Sequence, residues 1–186
     1  SDMDDTGHRY GPNNDLELKK TVDRLDHELG ALFEGLESFD LPIHVVLVSD
    51  HGMLEVNQEN LILLEELMEG IKGRLVNNGA LAHLHLENPK EKEQVIQLLL
   101  SRNPNLTIDD LSTTENYSDL TAFPQRKGDL LILPKEGYYL TDVKGKVRYQ
   151  NNAARFQTKV FGEHGFTPRY EDMHGIFYAK GPQIKV

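Results

Sequence analysis

Ile43-His44-Val45-Val46-Leu47-Val48-Ser49-Asp50-His51-Gly52-Met53, residues 43–53, is the stretch whose reading decides the fold. The β-branched run from Ile43 to Val48 predicts a short strand buried on both faces, because it alternates no polar side toward water. His44 interrupts the run near its start, and the strand stops at Ser49-Asp50-His51-Gly52. Upstream, residues 13–39 predict the clearest helix of the chain. Leu18, Val22, Leu25, Leu29, Leu32 and Leu36 recur at alternating spacings of four and three residues, which puts them on one stripe. Asn14, with Glu17 three residues later, is a loose capping box in which Asn replaces Ser or Thr. Pro42 ends the helix, since proline cannot continue it. A helix feeding a buried strand with polar residues at its carboxyl end is an α/β arrangement, and in such folds ligands bind outside the strand ends.

The middle of the chain has a different texture. Leu81 to Leu86 reads Leu, Ala, His, Leu, His, Leu, as expected of a strand with one polar face that carries His83 and His85. Lys90 to Leu100 predicts a charged helix with an apolar stripe at Val95, Leu98 and Leu99. Leu106–Ile108, Asp129–Leu133 and Gly137–Leu140 predict further short strands. Their β-α-β-β order is that of a small α+β insertion. The chain therefore divides into a core segment at 1–69, an insertion at 70–148 and a return to the core at 149–186, where Phe177–Ala179 reads as a last strand before a turn at Gly181-Pro182.

Composition narrows the functions. At 186 residues the chain is long enough for one sizeable core. A formal net charge of −10 argues against a nucleic-acid duplex held through its phosphates, which needs clustered Lys and Arg. No apolar run approaches the roughly 20 residues needed to span a bilayer. There are no cysteines, so any metal must be held by His, Asp or Glu. No signal peptide is visible. The chain opens abruptly on the His- and Asp-rich segment Ser1 to Pro12, and this suggests that upstream sequence has been removed.

Three clusters carry chemistry: Asp4-Asp5-Thr6-Gly7-His8-Arg9-Tyr10-Gly11-Pro12, Ser49-Asp50-His51-Gly52-Met53, and Gly162-Glu163-His164-Gly165-Phe166 with Asp172-Met173-His174-Gly175 behind it. Each sets a carboxylate close to a histidine among glycines, the first two as glycine-containing loops. Carboxylate oxygen with imidazole nitrogen suits catalytic zinc. The glycines are expected to let the backbone turn tightly enough to aim both side chains at one point.

Asp4-x-x-Gly7-His8-x-Tyr10-Gly11-Pro12, the long helix, and Val46-Leu47-Val48-Ser49-Asp50-His51-Gly52-Met53 closely resemble the nucleotide pyrophosphatase/phosphodiesterase (type I phosphodiesterase) family of the alkaline phosphatase superfamily. Gly162 to Phe166 and Met173 to Pro182 resemble that family's closing motif, and the middle insertion matches loosely. The resemblance implies an alkaline-phosphatase-like core, a mostly parallel sheet flanked by helices. It implies two zinc ions (Zn2+): Asp4, His8 and His164 as ligands of one, Asp50 and His51 as ligands of the other. It implies in-line displacement at a phosphodiester or pyrophosphate bond through a phosphorylated Thr or Ser. That nucleophile and a further Asp lie before the first motif in the family, so this chain is expected to hold no catalytic nucleophile and to be inactive alone. A small-molecule nucleotide or phosphodiester is the implied substrate, and the implied location is secreted, periplasmic or extracellular.

Other residues read more simply. His174 is expected to be structural, His83 and His85 to lie on a solvated strand face, His27 to be exposed and His44 to be hydrogen-bonded. Tyr138 and Tyr139 suit cross-strand packing. Glu163 either orients His164 or faces solvent, and Arg9 either meets a phosphate or is exposed. Two rival readings are a non-catalytic binding domain of the same fold and a phosphomutase or sulfatase of the superfamily. Apolar surface left uncovered is expected to drive self-association of the fragment.

Overall fold

A computed structural model describes residues 2–113 and 124–184. The elements run α1 (Asp2–Tyr10), α2 (Asp15–Glu37), β1 (Val45–Val48), β2 (Leu54–Asn57), β3 (Leu61–Leu63), α3 (Leu64–Leu67), β4 (Gly73–Asn77) and β5 (Ala82–Leu86). They continue with α4 (Lys92–Arg102), β6 (Leu106–Asp110), α5 (Pro124–Lys127), β7 (Leu130–Pro134), β8 (Tyr139–Thr141), α6 (Val143–Phe156), β9 (Val160–Glu163) and β10 (Phe177–Lys180). The class is mixed α/β, as expected. The chain separates into two compact units, Ser1–Glu55 with Phe161–Val186, and Val56–Val160. It leaves the first unit in β2 and returns to it in β9. The insertion expected at 70–148 falls inside the second unit.

In the first unit, α2 starts where the sequence places it. The Asn14 side chain accepts the Glu17 N–H at 3.2 Å, which satisfies one of the free amides of the first turn. β1 pairs with β10 in antiparallel register, from Val45↔Lys180 to Val48↔Phe177. The expectation that β1 is buried on both faces is overturned. Val46 and Val48 are 55% and 59% exposed, and Phe177 is 74% exposed. The exposure alternates along the strand: Val45 and Leu47 are half-buried on one face, and Val46 and Val48 on the other face water. The apolar stripe of α2 behaves alike, since no residue of that helix is buried and Val22, Leu25 and Leu32 face water.

The first motif, expected as a loop, is the helix α1. Its acidic residues Asp2, Asp4 and Asp5 fill the first turn, and His8 and Arg9 fill the last, so charge complements the helix dipole at both ends. Gly11, with φ of 84°, terminates it. Thr6 Oγ1 donates to the Asp2 carbonyl at 2.7 Å and lies 3.0 Å from Thr21 Oγ1, which ties α1 to α2.

The second unit holds the larger hydrophobic core. Its sheet has the order β4-β5-β7-β6, antiparallel throughout. The pleat sends Ala82 and Leu84 of β5, Leu130 and Ile132 of β7 and Leu106 of β6 to one face. Val95 and Leu99 of α4 join them there. Leu98, counted in the same stripe, falls at its edge and is exposed. Leu131 and Leu133 of β7 turn to the other face and pack with Leu81 and Leu111, so β7 is buried along its whole length. β3 and β8 form a separate parallel pair, Leu61↔Tyr139 to Leu63↔Thr141. Helix α6 was not anticipated, because Val143 and Val147 are exposed and leave little periodic apolar signal. Its start is fixed locally: Asp142 caps it by accepting the Gly145 N–H at 2.6 Å.

Candidate metal centre

All five residues implied as metal ligands lie in the first unit. On α1, Asp4 and His8 stand at i and i+4, the spacing that brings two side chains to one face of a helix. Asp4 Oδ1 lies 3.3 Å from His8 Nε2 and 3.7 Å from His164 Nε2. The His51 and His164 rings stack with centroids 3.8 Å apart, and His8 is 5.1 Å from His164 between centroids. Asp4, His51 and His164 each offer a ligand atom within 4.8 Å of the others, the one such trio among the described residues. His8 borders this trio. Asp50 does not join it: its side chain is 89% exposed, with Oδ1 3.6 Å from His51 Nε2. The trio thus spans the division implied by the family resemblance, in which His51 belongs with Asp50.

The protonation pattern of the imidazoles suits metal binding. His8 Nδ1 lies 2.7 Å from the Gly162 carbonyl, and His51 Nδ1 lies 2.8 Å from its neighbour Gly52's carbonyl. A carbonyl only accepts, so each Nδ1 is a donor, and Nε2 is the nitrogen left to face a metal. Those Nε2 atoms are the ones beside Asp4 and Asp50. Burial, then the neighbouring His51 and His8, hold His164 below the usual imidazole range against the opposing pull of Asp4 and Glu163. The donor set is imidazole plus carboxylate, which fits zinc.

The three motifs are held together by backbone contact. Ser49 N–H donates to the Ile176 carbonyl at 3.1 Å and Ile176 N–H donates back to Ser49 Oγ at 2.9 Å. Gly52 N–H donates to the Met173 carbonyl at 2.9 Å and Met53 N–H to the Asp172 carbonyl at 2.8 Å. A Cβ at Gly52 would lie 1.9 Å from the Asp172 carbonyl oxygen. Met53 sets its sulfur into the gap left by two more glycines, because a Cβ at Gly7 or Gly162 would lie 2.3 or 2.2 Å from Met53 Sδ. These glycines were expected to permit tight turns. At Gly7, Gly52 and Gly162 what they provide is close approach, and none has a positive φ. Met53 was legible as part of a motif but its wedge role was not, since sequence spacing carries no information on which side chain fills a gap.

The remaining candidates fall outside the cluster. His174 Nε2 lies 2.9 Å from the Pro168 carbonyl. Arg9 forms an ion pair with Asp5 at 2.6 Å, one turn away on α1. Glu163 Oε2 lies 3.8 Å from His8 Nδ1, so it sits behind His8 as well as beside His164 in sequence. His27 and His44 are exposed. In the second unit His83 Nδ1 donates to the Lys127 carbonyl at 2.6 Å, and His85 accepts from Arg74 at 3.2 Å.

Comparison with known proteins extends this picture. The model of the type I phosphodiesterase/nucleotide pyrophosphatase family matches residues 1–175. Human ectonucleotide pyrophosphatase/phosphodiesterase family member 5 is 27% identical over 189 residues, covering 99% of this chain and 36% of that protein. Rat family member 7 is 31% identical over 195 residues, covering 98% of this chain and 40% of its own length. The structure of an inactive variant of murine ectonucleotide pyrophosphatase/phosphodiesterase 5 in complex with AMP matches with a TM-score of 0.72 at 25% identity, over 96% of this chain and 45% of that one. The chain spans about two fifths of the length of the curated relatives it matches.

Proposed function

This chain belongs to the type I phosphodiesterase/nucleotide pyrophosphatase family, and we propose that it forms part of a zinc-dependent hydrolase of nucleotides or other small phosphodiesters. The observation that carries the reading is the convergence of Asp4, His51 and His164 within 4.8 Å, from motifs far apart in sequence. Asp4, His8 and His164 would hold one zinc, and Asp50 and His51 the other. Paired metals share one small pocket, so His51 can serve one ion while lying beside ligands of its neighbour. Bound there, zinc supplies a Lewis acid for a phosphoryl oxygen and offsets charge that builds up during displacement.

The chain's own residues prepare that site. The Gly162 and Gly52 carbonyls hold the His8 and His51 rings by their Nδ1 hydrogens, which leaves Nε2 beside Asp4 and Asp50. Glu163 adds negative charge behind His8. Thr6 is committed to the α1–α2 contact and is not the attacking hydroxyl. The Thr or Ser that would carry a phosphoryl intermediate belongs to the whole protein, as do its substrates. AMP held by the murine relative favours a nucleotide. The ectonucleotide names of the relatives favour an extracellular, secreted or periplasmic site. Residues 70–148 would serve as an insertion into a core made by 1–69 and 149–186.

Hydrolysis of a nucleotide phosphodiester and of a choline phosphodiester by the full-length protein tests this function. Turnover of one of them should disappear on chelation and return with zinc. Activity that persists in fully metal-free protein, or that returns with manganese and not with zinc, would contradict the proposal.

The uncovered Val46, Val48 and Phe177 face supports self-association of the isolated chain. Light scattering should then give a mass that rises with concentration, and Val48→Lys should lower it. A monomer at every concentration would contradict this.

A further inference from the structure

The second unit holds a cavity of about 630 Å3 that none of the metal motifs lines. Small-molecule sites occupy roughly 300–1,000 Å3. Lys144 and Arg148 both line it, and their i, i+4 spacing on α6 sets them on one face of the helix. Asn77 and Asn78 line it as well. Asn77 Oδ1 accepts the Gly79 N–H at 2.9 Å and Asn78 Oδ1 accepts the Leu81 N–H at 2.9 Å. With each amide oxygen engaged in its own turn, what the side chains have left to offer a ligand is their NH2 donors. The single lining carboxylate, Asp142, has Oδ1 on the Gly145 N–H at 2.6 Å. The end of α6 itself contributes little, because the Val143 N–H goes to Glu65 Oε1 at 3.1 Å and the Lys146 N–H to the Asp142 carbonyl at 2.9 Å. The side chains thus make the lining donor-rich and net positive, in a chain whose formal net charge is −10.

The walls are also shaped. Tyr139 and Tyr149 meet edge to face at 5.8 Å between centroids, and Tyr139 Oη donates to the Asn78 carbonyl at 3.1 Å. A Cβ at Gly79 would lie 1.9 Å from the Tyr139 ring, and one at Gly145 would lie 2.1 Å from Thr141 Oγ1. Glycine at both positions lets the ring and the hydroxyl close against backbone. We propose that this cavity binds a small organic phosphate monoester, whose phosphate meets Lys144, Arg148 and the two asparagine amides. Two cations suit a dianion, and the guanidinium fork matches two phosphate oxygens. The tyrosine walls and a volume beyond that of inorganic phosphate leave room for the organic group.

The test is an amide NMR titration of the 186-residue chain in chelator, with ribose 5-phosphate, and with ribose as the uncharged control. Saturable shifts at Gly79, Lys144 and Gly145 are expected with the phosphate and none with ribose. Lys144→Gln with Arg148→Gln should weaken binding by at least about tenfold. Both side chains are exposed, so the fold should survive, and unchanged amides elsewhere would verify it. Arg148→Lys, which keeps the charge and loses the fork, should give an intermediate affinity. The proposal is overturned by absence of saturable shifts at these amides, by an equal response to ribose, by shifts confined to residues near His8, His51 and His164, or by unchanged affinity in the double variant.

Discussion

Replacing His164 by alanine should lower the zinc affinity of this chain by more than about 100-fold, because loss of a mere hydrogen-bond partner to a ligand already costs 10–100-fold. His164 is the central residue of the cluster: its Nε2 lies 3.7 Å from Asp4 Oδ1, and its ring stacks on His51 at 3.8 Å. Removing it leaves Asp4 and His8 on one side and His51 on the other with no shared partner. His174→Ala is the matched control. That ring lies against the Pro168 carbonyl outside the cluster, so zinc affinity should stay within about twofold of the parent. Competition titration against a chromogenic chelator reads both variants. Equal losses in the two would mean that fold damage, and not ligand removal, is being measured.

That contrast also marks what a sequence reveals here. The Asp and His residues of the cluster were legible because each sits in a short motif of recognisable composition. The α2 cap at Asn14 was legible because capping is local chemistry. The burial of β1 was not, since a run such as Val45 to Val48 records what a strand prefers and says nothing of which partners cover it. Helix α1 escaped notice for the opposite reason. Its nine residues carry charges suited to a helix dipole but no apolar period to count. Which ligands approach one another was beyond reach as well, because that depends on three backbone hydrogen bonds and one to the Ser49 hydroxyl between the second and third motifs.

Gly52→Ala should be the most damaging single-methyl change in the first unit. Its Cβ would lie 1.9 Å from the Asp172 carbonyl oxygen, 2.8 Å from the Asp172 carbonyl carbon and 2.9 Å from the His174 carbonyl oxygen. All three are backbone atoms tied into the strap that joins the motifs, so none can swing aside as a flexible side chain would. Overpacking of this kind costs about 3 kcal/mol, and relief requires the Gly52–Met173 and Met53–Asp172 bonds to lengthen. Gly30→Ala supplies the comparison, because a Cβ there meets nothing within 4 Å on α2. It should stabilise by about 0.5–1 kcal/mol through helix propensity and reduced chain entropy. Chemical denaturation of both variants measures the difference. A Gly52→Ala midpoint equal to that of the parent would refute the close-packed strap.

Motifs from α1, the end of β1 and the end of β9 are proposed to bring their ligands to a common metal. X-ray absorption at the zinc edge, on the chain loaded with one equivalent of zinc, addresses that claim most directly. The predicted spectrum has only nitrogen and oxygen neighbours at about 2.0–2.1 Å, with imidazole scattering from at least two histidines that weakens in His164→Ala. A spectrum of hydrated zinc without imidazole scattering, or one unchanged by His164→Ala, would contradict it.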